Sequence, residues 1–95
     1  MYYAIICKDA PNSLALRLAS RLEHRERLRI LEQQDRLLIA GPFPKGEKPE
    51  DGFSGSLIVA EFDSQESATF WAETDPYMLN GTYQSVEVLP FKHIY

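Results

Sequence analysis

His24 and Asp75 are the two residues of this chain best suited to acid–base chemistry. His24 lies inside a long helical pattern, and Arg17, Leu28 and Leu31 fall near its face at 3.6 residues per turn. An imidazole at that place can gain or lose a proton near neutral pH. Asp75 precedes Pro76, just after a second helical pattern. If the fold joins the two, the carboxylate fixes the imidazole tautomer and stabilises its cation, which is general acid–base equipment. Each residue also has a plainer role. A histidine on a packed stripe can be satisfied by a backbone carbonyl, and an aspartate before proline is an ordinary helix stop and N-cap. Asp35 shares His24's face but lies roughly 16 Å along the axis at 1.5 Å per residue, so it is no partner within one helix.

Other residues could line such a site. Arg17 is suited to an anionic group of a small substrate, or else to a salt bridge. Ser56, after Gly55, offers a hydroxyl at the start of a strand. Gly41-Pro42 is a tight turn or a backbone wall open to close approach by a ligand. Tyr77 is a lid or packing. His93 sits in the tail, and the single cysteine, Cys7, reads as a small buried hydrophobe. With one cysteine there is no internal disulfide, and no Cys/His cluster suggests zinc or iron–sulfur. His24 and Asp75 alone are too few ligands for tight zinc binding unless His93 or a partner chain adds one. No metal and no cofactor is expected.

The chain has 95 residues, a single domain's length, with 44% hydrophobic content and a net charge of −4 from 14 acidic and 10 basic residues. That balance argues against nucleic acid or an anionic membrane as partner. Arg17, Arg21, Arg25, Arg27 and Arg29 nevertheless crowd one helix. The stretch DGFSGSLIVAEF from Asp51 loosely echoes an RNA-recognition motif, but Asp51 stands where that motif needs a basic residue. The opening MYYAIICKDA has no basic region ahead of its short apolar run, and no run reaches the ~20 apolar residues of a membrane span. A soluble, cytoplasmic protein is expected.

These residues are positioned by six predicted elements. YYAIIC over residues 2–7 is a strand, apolar on both parities. Ser13 caps one long helix over 14–34, with Leu14, Leu18, Leu22, Leu28 and Leu31 toward the core. LLIA over 37–40 is a strand, followed by a long exposed connection over 41–55 and a third strand over 56–62. Asp63 and Glu66 form a capping box for a helix ending near Glu73. Pro76 to Leu79 makes a short turn, and residues 82–91 a fourth strand. The order βαββαβ gives a ferredoxin-like α+β sandwich, a four-stranded antiparallel sheet with both helices on one face. Strands apolar on both parities would leave an exposed patch, so the second face is expected to pack against a second copy, sheet to sheet.

The chain resembles the YciI-like (YCII-related) proteins over essentially its whole length. The matching pieces are MYYAIICKD, Arg17 to His24 with its following helix, LLIAGP over 37–42, GFSGS over 52–56, Asp75-Pro76-Tyr77 with Gly81, and the closing VEVLPFKHIY. The resemblance implies a ferredoxin-like fold of the dimeric α/β-barrel group. It also implies a site centred on a histidine and an aspartate, which fall at His24 and Asp75. Two functions follow as expectations. One is a small cofactor-independent enzyme of lyase or isomerase type, using the pair for proton transfer, isomerisation or elimination on a small organic molecule. The other is a non-catalytic dimeric module that binds a small metabolite or a protein partner.

Overall fold

The computed structural model describes residues 1–95. Strand β1 (Tyr2–Asp9) leads into helices α1 (Leu14–Ala19) and α2 (Arg21–Gln33). An antiparallel pair follows, β2 (Leu37–Pro44) and β3 (Phe53–Glu61). Helices α3 (Gln65–Glu73) and α4 (Pro76–Leu79) then lead to β4 (Tyr83–Phe91). The sheet order is β2-β3-β1-β4, and every neighbouring pair is antiparallel. This is the ferredoxin-like α+β sandwich that the element order predicts. No helix is long and apolar enough to cross a membrane.

β1 is central because its residues suit both faces. Ile5 lies opposite Ile58 on β3 and Val88 on β4, under the helices. Tyr3, Ile5 and Cys7 point to that side with Ile58, Ala60 and Phe62, and Leu31, Ala68 and Ala72 close the layer from the helices. Burial pushes the Cys7 thiol up to about 12, so it stays protonated and unreactive at neutral pH. Gly55, next to Cys7's partner Ser56, is required by close approach. A β-carbon there would run into the carbonyl oxygen of Cys7.

Several sequence expectations change. The predicted helix over 14–34 breaks at Ser20. The Asn80 side-chain amide donates to the carbonyl of Leu16 and to Ser20 Oγ, both at 2.9 Å, and clamps the break from across the layer. The leucine stripe also divides. Leu31 is buried, whereas Leu18 and Leu22 face outward, Leu22 at 82% exposure. Residues four apart drift by about 40° per step, so Leu22 ends up far round the helix from His24. The buried line instead runs Arg17, His24, Leu31 at seven-residue spacing.

β2 continues through Gly41-Pro42 to Pro44, so the connection shrinks to residues 45–52 around a turn at Pro49–Asp51. Proline is tolerated because β2 is an edge strand with one side free of the ladder. α3 is capped by Ser64, whose hydroxyl accepts from Ser67 N, one residue later than the Asp63 cap expected. Ser13 precedes α1 but makes no side-chain cap.

Candidate active site

The seven-residue line places Arg17 and His24 on the same buried face, one on each side of the break at Ser20. Asp75 reaches His24 from the start of α4. Its backbone is extended (φ −61°, ψ 137°), as an N-cap must be, and its Oδ1 accepts from Tyr77 N at 2.9 Å. The same carboxylate lies 2.9 Å from His24 Nδ1 through both oxygens. One side chain, 1% exposed, therefore both caps α4 and contacts His24.

This contact sets the imidazole. A carboxylate only accepts, so Nδ1 carries the proton and donates it. The other nitrogen, Nε2, makes no hydrogen bond within the protein and is not sealed off. The ring is clamped flat. Tyr77 stacks on it at 4.1 Å and 15°, and Tyr83 meets it edge-on at 6.4 Å. Tyr77 is 2% exposed and lines the cavity, and burial raises the pKa of its hydroxyl against the pull of Arg17 and Arg21. Arg27 stands behind Asp75, with Nη1 3.7 Å from Oδ2, its plane over Trp71 at 4.4 Å and Nη2 donating to Thr74 Oγ1. Nη1 is buried without a closer partner.

Arg17 forms a second buried pair. Its Nε and Nη2 donate to the two oxygens of Asp9, each at 2.9 Å. Nη2 also reaches Ser56 Oγ at 2.9 Å and the carbonyl of Gly55 at 3.2 Å. The guanidinium lies among Phe53, Tyr77 and Tyr83 at 4.9–5.8 Å from their ring centres. Burial works against the charge, yet the bonds and charge of Asp9 more than offset it, and the Arg17 pKa is raised. Arg17 is thus mostly engaged by protein groups. Only Nη1 lacks a protein partner, and that atom is not sealed.

Removing Asp9 would strand that charge. Asp9→Ala is expected to cost about 3–5 kcal/mol, the usual result of breaking a buried pair from one side. Arg17→Met combined with Asp9→Ala should recover much of it. Urea unfolding of both variants checks this; a single variant within 1 kcal/mol of wild type, on the order of a surface change, would refute it.

A cavity of about 210 Å³ opens beside these groups. Arg17, Arg21, His24 and Arg25 line it, with Leu28, Phe53, Ile58 and Tyr77 as its apolar wall and Ala40 to Pro42 and Ser56 on the strand side. Gly41 contributes backbone, as a wall would. A β-carbon at Gly41 would meet nothing within 4 Å, so close packing inside this chain does not demand the glycine. His93 is elsewhere, edge-on to Tyr2, and no three of His, Cys, Asp and Glu gather as a metal-ligand group.

Sequence reasoning missed Asp9, Tyr83, Phe53 and Arg27. Asp9 had a signal. It shares the parity of Tyr3, Ile5 and Cys7, hence their face, if the strand is drawn two residues longer.

The YCII-related domain model matches residues 1–92. An uncharacterised protein of Haemophilus influenzae is 46% identical over the full length of both chains. The protein YciI of Escherichia coli is 43% identical, again over all of both. Among solved structures, 5-chloro-2-hydroxyhydroquinone dehydrochlorinase from Burkholderia phenoliruptrix, in complex with 2,5-dihydroxybenzoquinone, is similar at a TM-score of 0.84. It shares 27% identity, and the likeness covers 98% of this chain and 95% of that one.

Proposed function

Since this chain belongs to the YCII-related family, we propose that it is a small enzyme that moves a proton on a small organic substrate with His24 as base and acid. The observation that carries the reading is the 2.9 Å contact of His24 Nδ1 with Asp75, which leaves Nε2 unpaired beside a cavity. Nε2 would take a proton from the substrate. Asp75 would hold the ring and stabilise the imidazolium, while the stacked Tyr77 keeps it from turning. The electron pair released would shift into a new double bond. In an isomerisation the same nitrogen returns the proton at another atom; in an elimination a leaving group departs with its bonding pair. Neither course requires a cofactor. The similar dehydrochlorinase supports the elimination course as the first to test.

A second copy would complete the molecule. The sheet face opposite the helices carries Ile6, Ile39, Phe43, Leu89 and Phe91, each between 37% and 52% exposed. An apolar face of this kind is what a sheet-to-sheet homodimer buries.

The test supplies the wild-type protein and His24→Ala with 5-chloro-2-hydroxyhydroquinone and follows chloride release. In parallel, a panel of small ketones and oxo acids is followed for deuterium exchange next to the carbonyl. Turnover by wild type that His24→Ala lacks is the expected result. Equal rates for the two proteins, or exchange no faster than buffer in both assays, would end the enzyme reading.

A further inference from the structure

The cavity's charge is unlike that of the chain. The protein carries −4 overall, yet three arginines and a histidine line the cavity, and no aspartate or glutamate does. The carboxylates nearest to it are already engaged. Asp9 is taken up by Arg17, and Asp75 by His24 and the Tyr77 amide. Arg21 and Arg25 are one turn apart on α2, which brings like charges together and disfavours the helix. Neither forms an ion pair, although Arg27 and Arg29 of the same helix do. Arg17 adds the free Nη1 deeper in. Leu28, Phe53 and Ile58 supply apolar wall, with Ser56 and Tyr77 beside them. At about 210 Å³ the space is smaller than the ~300–1,000 Å³ of drug-sized sites, so its ligand is of about one ring's size.

We propose that this cavity selects a small organic anion, with its charge on Arg21, Arg25 and Nη1 of Arg17, and its carbon body on Leu28, Phe53 and Ile58. The anion class is a carboxylate, since the planar guanidinium matches two oxygens at once. A fixed positive wall beside His24 would also favour the anion that forms when Nε2 removes a proton from carbon. The inference rests on the reading of this cavity as the substrate site, but it concerns binding and can fail independently of the proton transfer.

Benzoate and benzamide are nearly equal in shape and differ in charge, so they are the probes. Affinities are measured by calorimetry or by ¹⁵N chemical-shift titration for wild type, His24→Ala and the double variant Arg21→Gln with Arg25→Gln, with inorganic phosphate as a control. Circular dichroism establishes that the double variant is folded; Arg21 interacts with the Tyr77 hydroxyl, and neither arginine forms an ion pair. Benzoate should bind wild type at least tenfold more tightly than benzamide or phosphate, and more weakly as salt rises. The double variant should lose at least tenfold, and His24→Ala should retain benzoate binding. Retained binding with lost turnover would leave this proposal standing whatever becomes of the catalytic one. Equal binding of benzoate and benzamide, phosphate binding as tight as benzoate, undiminished affinity in the folded double variant, or no benzoate binding by wild type would each overturn it.

Discussion

His24→Ala will lower turnover by about a hundred- to ten-thousand-fold and leave the chain folded, because one positioned base is worth about that much. The ring stacks on Tyr77 and bonds Asp75, so its loss also costs stability, while the hydrogen bonds of the α2 backbone do not run through it. The informative companion is Asp75→Asn. Asparagine caps helices about as well as aspartate, so α4 should keep its start. The amide carries no charge to stabilise an imidazolium, so the rate should fall nearly as far as in His24→Ala, while the melting temperature falls less than in Asp75→Ala, through the lost charge opposite Arg27. Asp75→Ala removes the cap as well and should also lose stability, by about 1–3 kcal/mol. Steady-state rates and thermal melts on the three proteins separate the roles. Asp75→Asn at wild-type rate would show the carboxylate to be a cap and nothing more.

The second large effect concerns assembly. Ile6 lies at the middle of β1 on the face away from the helices, opposite Leu57 and Glu87. Ile6→Lys is easily accommodated by an isolated chain, since the side chain is already partly in solvent and Glu87 is next to it. In a two-fold interface the same change acts twice, placing a charge in an apolar contact each time. A loss of about 3 kcal/mol, or roughly a hundredfold in the dimer dissociation constant, is the expected result. Sedimentation equilibrium from nanomolar to 100-micromolar chain concentration, on the order of a typical assembly range, measures it. A wild-type protein that stays monomeric throughout, or a variant that dimerises as well as wild type, would refute sheet-to-sheet pairing.

The parts of this molecule legible in its sequence are those set by local periodicity. The βαββαβ order follows from alternation and capping. The shared face of Arg17, His24 and Leu31 follows from a seven-residue spacing that a helix nearly closes. Asp75 was legible because a residue before proline, at the end of a helical pattern, must sit at a junction. Long-range contacts decide the rest. The break at Ser20 has no proline or glycine to announce it, and depends on Asn80 arriving from the far end of the chain. Asp9 belongs to the loop by composition and to the sheet by its pairing with Tyr83 and Arg17. Gly41-Pro42 has the composition of a turn, yet an edge strand absorbs it. The service of Arg27 behind Asp75 depends on Trp71 and Thr74, more than forty residues away.

The clamp on His24 has a stereochemical corollary. One imidazole nitrogen faces the cavity, and no carboxylate or second histidine stands across from it. The stacked tyrosine stops the ring from swinging to the opposite side. A hydrogen lifted from one face of a flat intermediate then has a single carrier and must be delivered to that same face. Isomerisation by such a site is suprafacial, and part of a deuterium label on the starting carbon travels intact to the product instead of washing out into water.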